Sequence, residues 1–387
     1  MPPSLNLSLR QSTSHYFTPY ATQSYLRSFL IVTQNTKRLQ STATAQDAAA
    51  QLLERFKDRK IVRHQVLDGN QIQKLALTLG RRGIHPTFDI RERPPAIGTP
   101  IPPGWHLVYF TPNGIEQKGD LGADGSDIVF NSPEPFTRRM WAGGKMIWGR
   151  ATEDGTGLKV GDEVTETTEL LSAVPKTSSA TGAEMVFVEV KKTYSTRRGQ
   201  ALEDRRSWVF RAKSSQPEEM DSPKTYNASY AGPSEMWDEP PNAEKGPFPL
   251  RNFRWSPVGL FRFSALTFNG HKIHYNEQWA RDVEGHPLCV VHGPLNLICM
   301  LDYWHDSGLR ERNDLRRLRE ITYRAKAPLY EGEHYTIGMD HGTPLPQSHN
   351  RVHDITIRKN GAVCMSAVVH SDFVTQRKTG RWSPKVG

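Results

Sequence analysis

Val291-His292-Gly293-Pro294-Leu295-Asn296-Leu297-Ile298-Cys299-Met300-Leu301-Asp302-Tyr303-Trp304 reads as an apolar helix whose start is written into the chain. Pro294 fits a first turn because its missing N–H has no partner there, and Gly293 lets another group approach the backbone closely. After it, 316–327, 335–339, 352–359 and 362–369 read as strands. One helix followed by several antiparallel strands is an α+β plan in which a curled sheet wraps the helix.

The same order occurs upstream. Leu67, Ile72, Leu75 and Leu77 have helical spacing within 66–79, and Gly80 and Pro86 end that pattern. Short Val-, Trp-, Phe- and Thr-rich runs follow at 105–110, 138–148, 162–171, 184–194 and 205–211, and another apolar run at 260–268 also reads as a strand. Between the halves, 212–257 carries Pro217, Pro223, Pro233, Pro240, Pro241, Pro247, Pro249 and Pro257 with little periodicity, the signature of a linker. The chain therefore reads as two similar domains in tandem, 47–211 and 258–387.

At 387 residues, with 24% charged and 36% hydrophobic residues, the chain is too long for one small core and too apolar for disorder. Mean hydropathy is −0.60, and no apolar run approaches the ~20 residues of a membrane span. Cys289, Cys299 and Cys364 show no C-x-x-C spacing and suit buried free thiols. Residues 1–46 contain no Asp or Glu, fourteen Ser or Thr, and Arg10, Arg27, Lys37 and Arg38. That composition suits a mitochondrial transit peptide with a cleavage region at Lys37–Ser41; a polar arm without an address is the alternative. Removing these four cations takes the net charge from +9 to +5, which does not call for nucleic acid. The basic run from Arg310 to Lys326 is either a solvated strand-and-loop face or a landing site for an acidic partner.

Phe268-Asn269-Gly270-His271-Lys272-Ile273-His274-Tyr275 carries the chemistry. Moving a proton beside a thioester carbonyl needs a base at the carbon and N–H donors at the oxygen; a polar turn followed by a helix N-terminus offers both. His271 and His274 at i, i+3 also suit a metal, but no third ligand has convincing spacing; His286 and His292 keep zinc open. Simple hydrogen bonding within a tight turn is the remaining reading.

The stretch Phe263–Tyr275 resembles the hydratase motif of MaoC-like hotdog proteins. More closely, it resembles the two-domain branch containing fungal mitochondrial 3-hydroxyacyl-thioester dehydratase type 2 and mesaconyl-CoA hydratase-like proteins. Arg138-Arg139-Met140-Trp141-Ala142-Gly143-Gly144, Val160-Gly161-Asp162 and Ile321–Leu329 resemble that branch too. The resemblance implies a tandem hotdog fold, no cofactor and one active site per chain, because the first half lacks an Asn-x-x-x-x-His turn. By position, His274 falls on the catalytic histidine, Asn269 where the broader motif has its catalytic Asp, and His271 where it has Asn. Gly293 falls on the glycine whose N–H binds the thioester oxygen, with Pro294 beside it, and Arg324 is expected at the substrate. An amide takes no proton at neutral pH, so both transfers fall to His274, an imidazole near ~6.5, while Asn269 holds the departing hydroxyl and His271 shapes the turn. Arg138, Arg139 and Trp141 are either a wall of the acyl tunnel or ordinary sheet residues.

The implied activity is reversible dehydration of (R)-3-hydroxyacyl thioesters to trans-2-enoyl thioesters in the mitochondrial matrix, with acyl carrier protein as partner. The alternatives are a hydratase of mesaconyl- or itaconyl-type CoA thioesters and a non-catalytic acyl-binding protein. A homodimer of such pseudo-dimeric chains is a further expectation.

Overall fold

A computed structural model describes residues 43–84, 89–112, 114, 119, 121–149, 157–179, 181–212, 230–242, 247–310, 316–340, 343–344 and 350–373. The expected cleavage region Lys37–Ser41 and residues 311–315 of the basic run lie outside these.

Helix α1 (Ala45–Phe56) starts inside the stretch expected as the transit peptide. Thr44 accepts a hydrogen bond from the Asp47 N–H (3.2 Å) while Asp47 accepts one from the Thr44 N–H (3.1 Å), a reciprocal cap that fixes the helix start. A boundary at residue 46 therefore cuts a folded element. Strand β1 (Lys60–Val66) and helix α2 (Gly69–Thr78) follow. Asp68 caps α2 through the Gln71 N–H (3.1 Å). The expected strand at 105–110 is instead a 3₁₀ turn, Trp105–Val108, entered through Gly104 at φ 84°. Strands β2 (Arg138–Trp148), β3 (Glu163–Thr177), β4 (Glu184–Thr196) and β5 (Gly199–Arg211) complete the first half.

The expected linker holds two strands, β6 (Glu235–Glu239) and β7 (Leu250–Arg254), which pair with each other and extend the second half's sheet. Of the prolines there among the described residues, Pro233 precedes β6, Pro240, Pro241, Pro247 and Pro249 lie between the strands and Pro257 follows β7, so none interrupts a ladder. The expected strand at 260–268 is helix α3 (Pro257–Leu266). Ser256 accepts from the Gly259 N–H (3.0 Å) and Pro257 occupies the first turn, so local capping settles a run whose apolar residues show no clear period. Then come a 3₁₀ turn (Lys272–His274), α4 (Glu277–Asp282), α5 (Gly293–Arg310), β8 (Arg316–Ala325), β9 (Tyr335–Met339), β10 (Thr343–Pro344), β11 (Asn350–Lys359) and β12 (Ala362–Phe373).

The strands form one antiparallel sheet in the order β1-β3-β4-β5-β2-β8-β12-β11-β9-β7-β6, with β10 beside β11. The halves meet at β2 and β8, where Gly144 faces Tyr323 and Met146 faces Ile321. Helix α5 lies in the principal core, with Leu295, Leu297, Ile298, Met300, Leu301, Tyr303 and Trp304 buried nearly all round, as a helix covered on every side must be. Its two inward acids are matched: Asp302 accepts from the Trp105 indole (2.8 Å) and pairs with Arg81 (3.1 Å), and Asp306 pairs with Arg81 and Arg251 (2.8 Å each). Helix α1 covers Val186, Val188, Val190 and Phe210 of the first half. Cys289, Cys299 and Cys364 are buried and free. None of the described helices is long and apolar enough to cross a membrane.

Candidate active site

The turn after α3 is built by its own residues. Phe268 takes φ 50°, a left-handed conformation costly for a bulky side chain, and Asn269 N–H closes back on the Ser264 carbonyl (2.9 Å). The Asn269 side-chain oxygen accepts from the His271 N–H (3.1 Å). That bond makes Asn269 the residue that shapes the turn, a role the sequence assigned to His271.

His274 is buried, 8% exposed, at the end of the turn. Its Nδ1 lies 2.7 Å from the Val290 carbonyl oxygen. A carbonyl can only accept, so Nδ1 carries the hydrogen and Nε2 keeps its lone pair. Burial, reinforced by His271, pushes the His274 pKa down to about 3, against the pull of the Val290 carbonyl. The imidazole is therefore neutral with a lone pair on Nε2, but it is not the unperturbed group expected from its type. His292 stacks on it, ring centroids 3.7 Å apart and 18° from coplanar, and is itself held by Ser264 Oγ at 2.8 Å.

His292 also ends the chain's approach to α5: its carbonyl accepts the Asn296 N–H (3.1 Å), which makes it the cap residue and places Gly293, Pro294 and Leu295 in the first turn. Proline has no N–H, so Gly293 and Leu295 offer the free donors at the positive end of α5, beside the His274 ring. Trp141 of β2 closes this point from the other half. A Cβ on Gly293 would stand 1.8 Å from Trp141 Cε3, so only glycine lets the indole lie on the helix start. Trp141 rests in turn on Tyr323, ring centroids 5.1 Å apart.

A loop of the first half is docked on the turn. The Lys272 N–H donates to the Asp124 carbonyl (2.8 Å), Lys272 Nζ to the Ala123 carbonyl (2.8 Å), and Gly125, at φ 80°, lies so close that a Cβ there would meet the Gly270 oxygen at 2.3 Å. His271 Nε2 points at Asp124 Oδ2 (3.4 Å) and Glu284 Oε1 (3.6 Å). Among the described residues these three form a group with metal-like spacing. Arg138 already supplies positive charge there, its Nε 3.5 Å from the Glu284 carboxylate and a second nitrogen 2.8 Å from the Glu284 carbonyl. Arg139 lies over the Trp208 ring at 5.5 Å.

Arg324 is elsewhere. On β8 the inward residues are Ile321 and Tyr323, so alternation turns Arg324 to the outer face, where it is exposed and paired in register with Gly143 and Ser366. The structure thus brings His274, Asn269, Gly293 and Pro294 together and leaves Arg324 outside. Asp124, Glu284 and Ser264 were not among the expected residues.

A family model described as hydroxyacyl-thioester dehydratase type 2 matches residues 104–331, which takes in the turn, the start of α5 and Trp141. The chain belongs to that family. It is 27% identical over 242 residues to mesaconyl-C(4)-CoA hydratase of Chloroflexus aurantiacus, covering 61% of this chain and 74% of the relative. It is 26% identical over 237 residues to the mitochondrial hydroxyacyl-thioester dehydratase type 2 of Schizosaccharomyces pombe, covering 57% and 72%. Among solved structures, a MaoC-like dehydratase superposes with a TM-score of 0.54 at 14% identity, over 83% of this chain and all of that one. The fold is a tandem hotdog, and the chain is a hydro-lyase of the hydratase/dehydratase type.

Proposed function

We propose that the chain dehydrates (R)-3-hydroxyacyl thioesters to trans-2-enoyl thioesters, reversibly, as the dehydratase step of mitochondrial fatty acid synthesis on acyl carrier protein. The observation that carries this reading is the juxtaposition of a neutral His274, its Nε2 free, with the α5 N-terminus at Gly293. His274 Nε2 takes the proton beside the thioester carbonyl. The electron pair moves onto the thioester oxygen, which the Gly293 and Leu295 N–H groups and the helix end hold. The pair then returns to form the double bond as the hydroxyl, protonated by a histidine of the same turn, leaves as water. Trp141 covers the helix start at Gly293 from the other half.

The matrix location rests on the acid-free residues 1–46 and on the mitochondrial name of the Schizosaccharomyces pombe relative. The name of the Chloroflexus relative supports a second reading, hydration of a short unsaturated dicarboxylyl-CoA. Enoyl-thioester absorbance followed with crotonyl-acyl carrier protein, crotonyl-CoA and mesaconyl-CoA separates the two: the leading reading expects the highest kcat/KM on the carrier protein, and a preference for mesaconyl-CoA overturns it. A His274→Ala variant should lose at least ~10³-fold in kcat with its melting temperature within a few degrees of wild type. Full activity in that variant would remove the mechanism.

A further inference from the structure

Asn269 cannot carry a proton, and its side-chain oxygen accepts the His271 N–H (3.1 Å). Burial makes His274 a group that sheds a proton readily once it has one, and a second acid beside it would spare it from reaching both the carbon and the leaving hydroxyl. The site contains one more candidate. His271 lies 5.5 Å from His274, ring centre to ring centre and nearly perpendicular, and its side chain is 14% exposed. Its Nε2 is buried without a hydrogen bond and faces the two carboxylates of Asp124 (3.4 Å) and Glu284 (3.6 Å). Nδ1 is on the other flank of the ring. Burial raises the Glu284 carboxyl, but His271, Arg138 and Trp279 together hold it at about 2, so an anion faces Nε2 throughout the neutral range. Asp124 is presented by the first-half loop that Lys272 and Gly270 clasp, which ties the loop's position to the ring's.

Two histidines in opposite surroundings divide the labour of an acid and a base. We propose that His271, held between Asp124 and Glu284, is a second catalytic residue that gives its Nδ1 proton to the departing hydroxyl. This rests on the dehydratase reading above. In the forward step the Cα–H bond breaks to His274 Nε2, the Cα=Cβ bond forms, and the Cβ–O bond breaks as His271 Nδ1–H passes its proton to the oxygen. Water leaves; His274 is protonated and His271 is neutral. Transfer of the proton from His274 to His271 through solvent restores the starting state with no co-reactant. The arrangement gives the first half a chemical share in the reaction, through Asp124.

The test compares two leaving groups. Chloride departs from 3-chlorobutyryl-CoA without a proton, whereas hydroxide from (R)-3-hydroxybutyryl-CoA needs one. A His271→Gln variant should fall ~10²–10⁴-fold on the hydroxy substrate and stay within about tenfold of wild type on the chloro substrate. Asp124→Asn, a milder change that keeps the loop's backbone contacts, should show the same selective loss at about tenfold. Equal losses on both substrates, or no loss on the hydroxy substrate, would overturn the assignment. A wild-type protein inert on both would instead dispose of the dehydratase reading itself. Circular dichroism of each variant keeps misfolding from counting as a result.

Discussion

Replacing Gly293 by alanine is the sharpest probe of how the halves share the site. Gly293 is not among the residues with positive φ, so in an open helix the change would ordinarily help, by ~0.4–1 kcal/mol. Here the new Cβ would stand 1.8 Å from Trp141 Cε3, 2.4 Å from Cζ3 and 3.0 Å from Cδ2. Carbon atoms rest near ~3.5 Å, so the indole must retreat by about 1.7 Å or the first turn of α5 must move. Tyr323, 5.1 Å behind the indole, limits the first route. Overpacking of this kind costs ~1–3 kcal/mol, and displacing an oxyanion donor costs ~10²–10³ in kcat. We expect Gly293→Ala to unfold at lower urea concentration with a stability loss of ~1–3 kcal/mol, and to lose ~10²-fold in kcat. The double variant with Trp141→Ala should regain part of both, so the two changes are far from additive. Equilibrium urea unfolding and steady-state kinetics on crotonyl-CoA read both quantities. A Gly293→Ala protein with wild-type stability and kcat would refute the packing of Trp141 on the helix start.

Three further outcomes follow from other contacts. Asn269→Asp keeps the acceptor for the His271 N–H and should retain activity within about tenfold, whereas Asn269→Ala should lose ~1 kcal/mol of stability and more activity; the opposite order in kcat would place the amide on the substrate. Asp204 is fully buried and holds Arg206 at 2.7 Å, so Asp204→Ala should cost ~3–5 kcal/mol in urea unfolding, and a loss below ~1 kcal/mol would contradict the pairing. Burial pushes His274 to about 3 and His286 to about 4, and holds His292 well below its usual value, so the unfolded chain, titrating near ~6.5, binds protons that the fold refuses. Stability should therefore fall as pH drops from ~6.5 to ~4, on the order of 1 kcal/mol per pH unit for each histidine, and His286→Gln should flatten the slope; equal stability at pH 7.5 and pH 5 would count against this.

Two of the strands that read correctly show alternation plainly, whereas β2 (Arg138–Trp148) was legible without it. Val186, Val188 and Val190 of β4 all face inward, and β9 falls at Tyr335–Met339 as expected. Alternation is local, so it survives without knowledge of the partner strand. The run at 260–268 misled because Leu260, Phe261, Phe263, Ala265 and Leu266 leave little polar contrast; Ser256 and Pro257, the cap and first-turn residues, were the signal that decided for helix. β6 and β7 were hidden by the prolines around them. Arg324 shows a different failure: a matching stretch gives a residue's place along a strand, but the face it presents depends on register with β2 and β12.

At the site, the chain's local pattern was enough to place His274 on an irregular turn, to start an apolar helix at Gly293 and to predict an α+β architecture. Those are matters of neighbouring residues and of which backbone groups lack partners. Only the folded chain shows what each group does. The Val290 carbonyl chooses the His274 tautomer, burial strips that ring of its charge, Asn269 turns inward to its own backbone, and Asp124 arrives from a loop of the other half to face His271. Desolvation and charge act through space, summed over every element packed around a group, and for these residues most of that packing comes from segments far away along the chain.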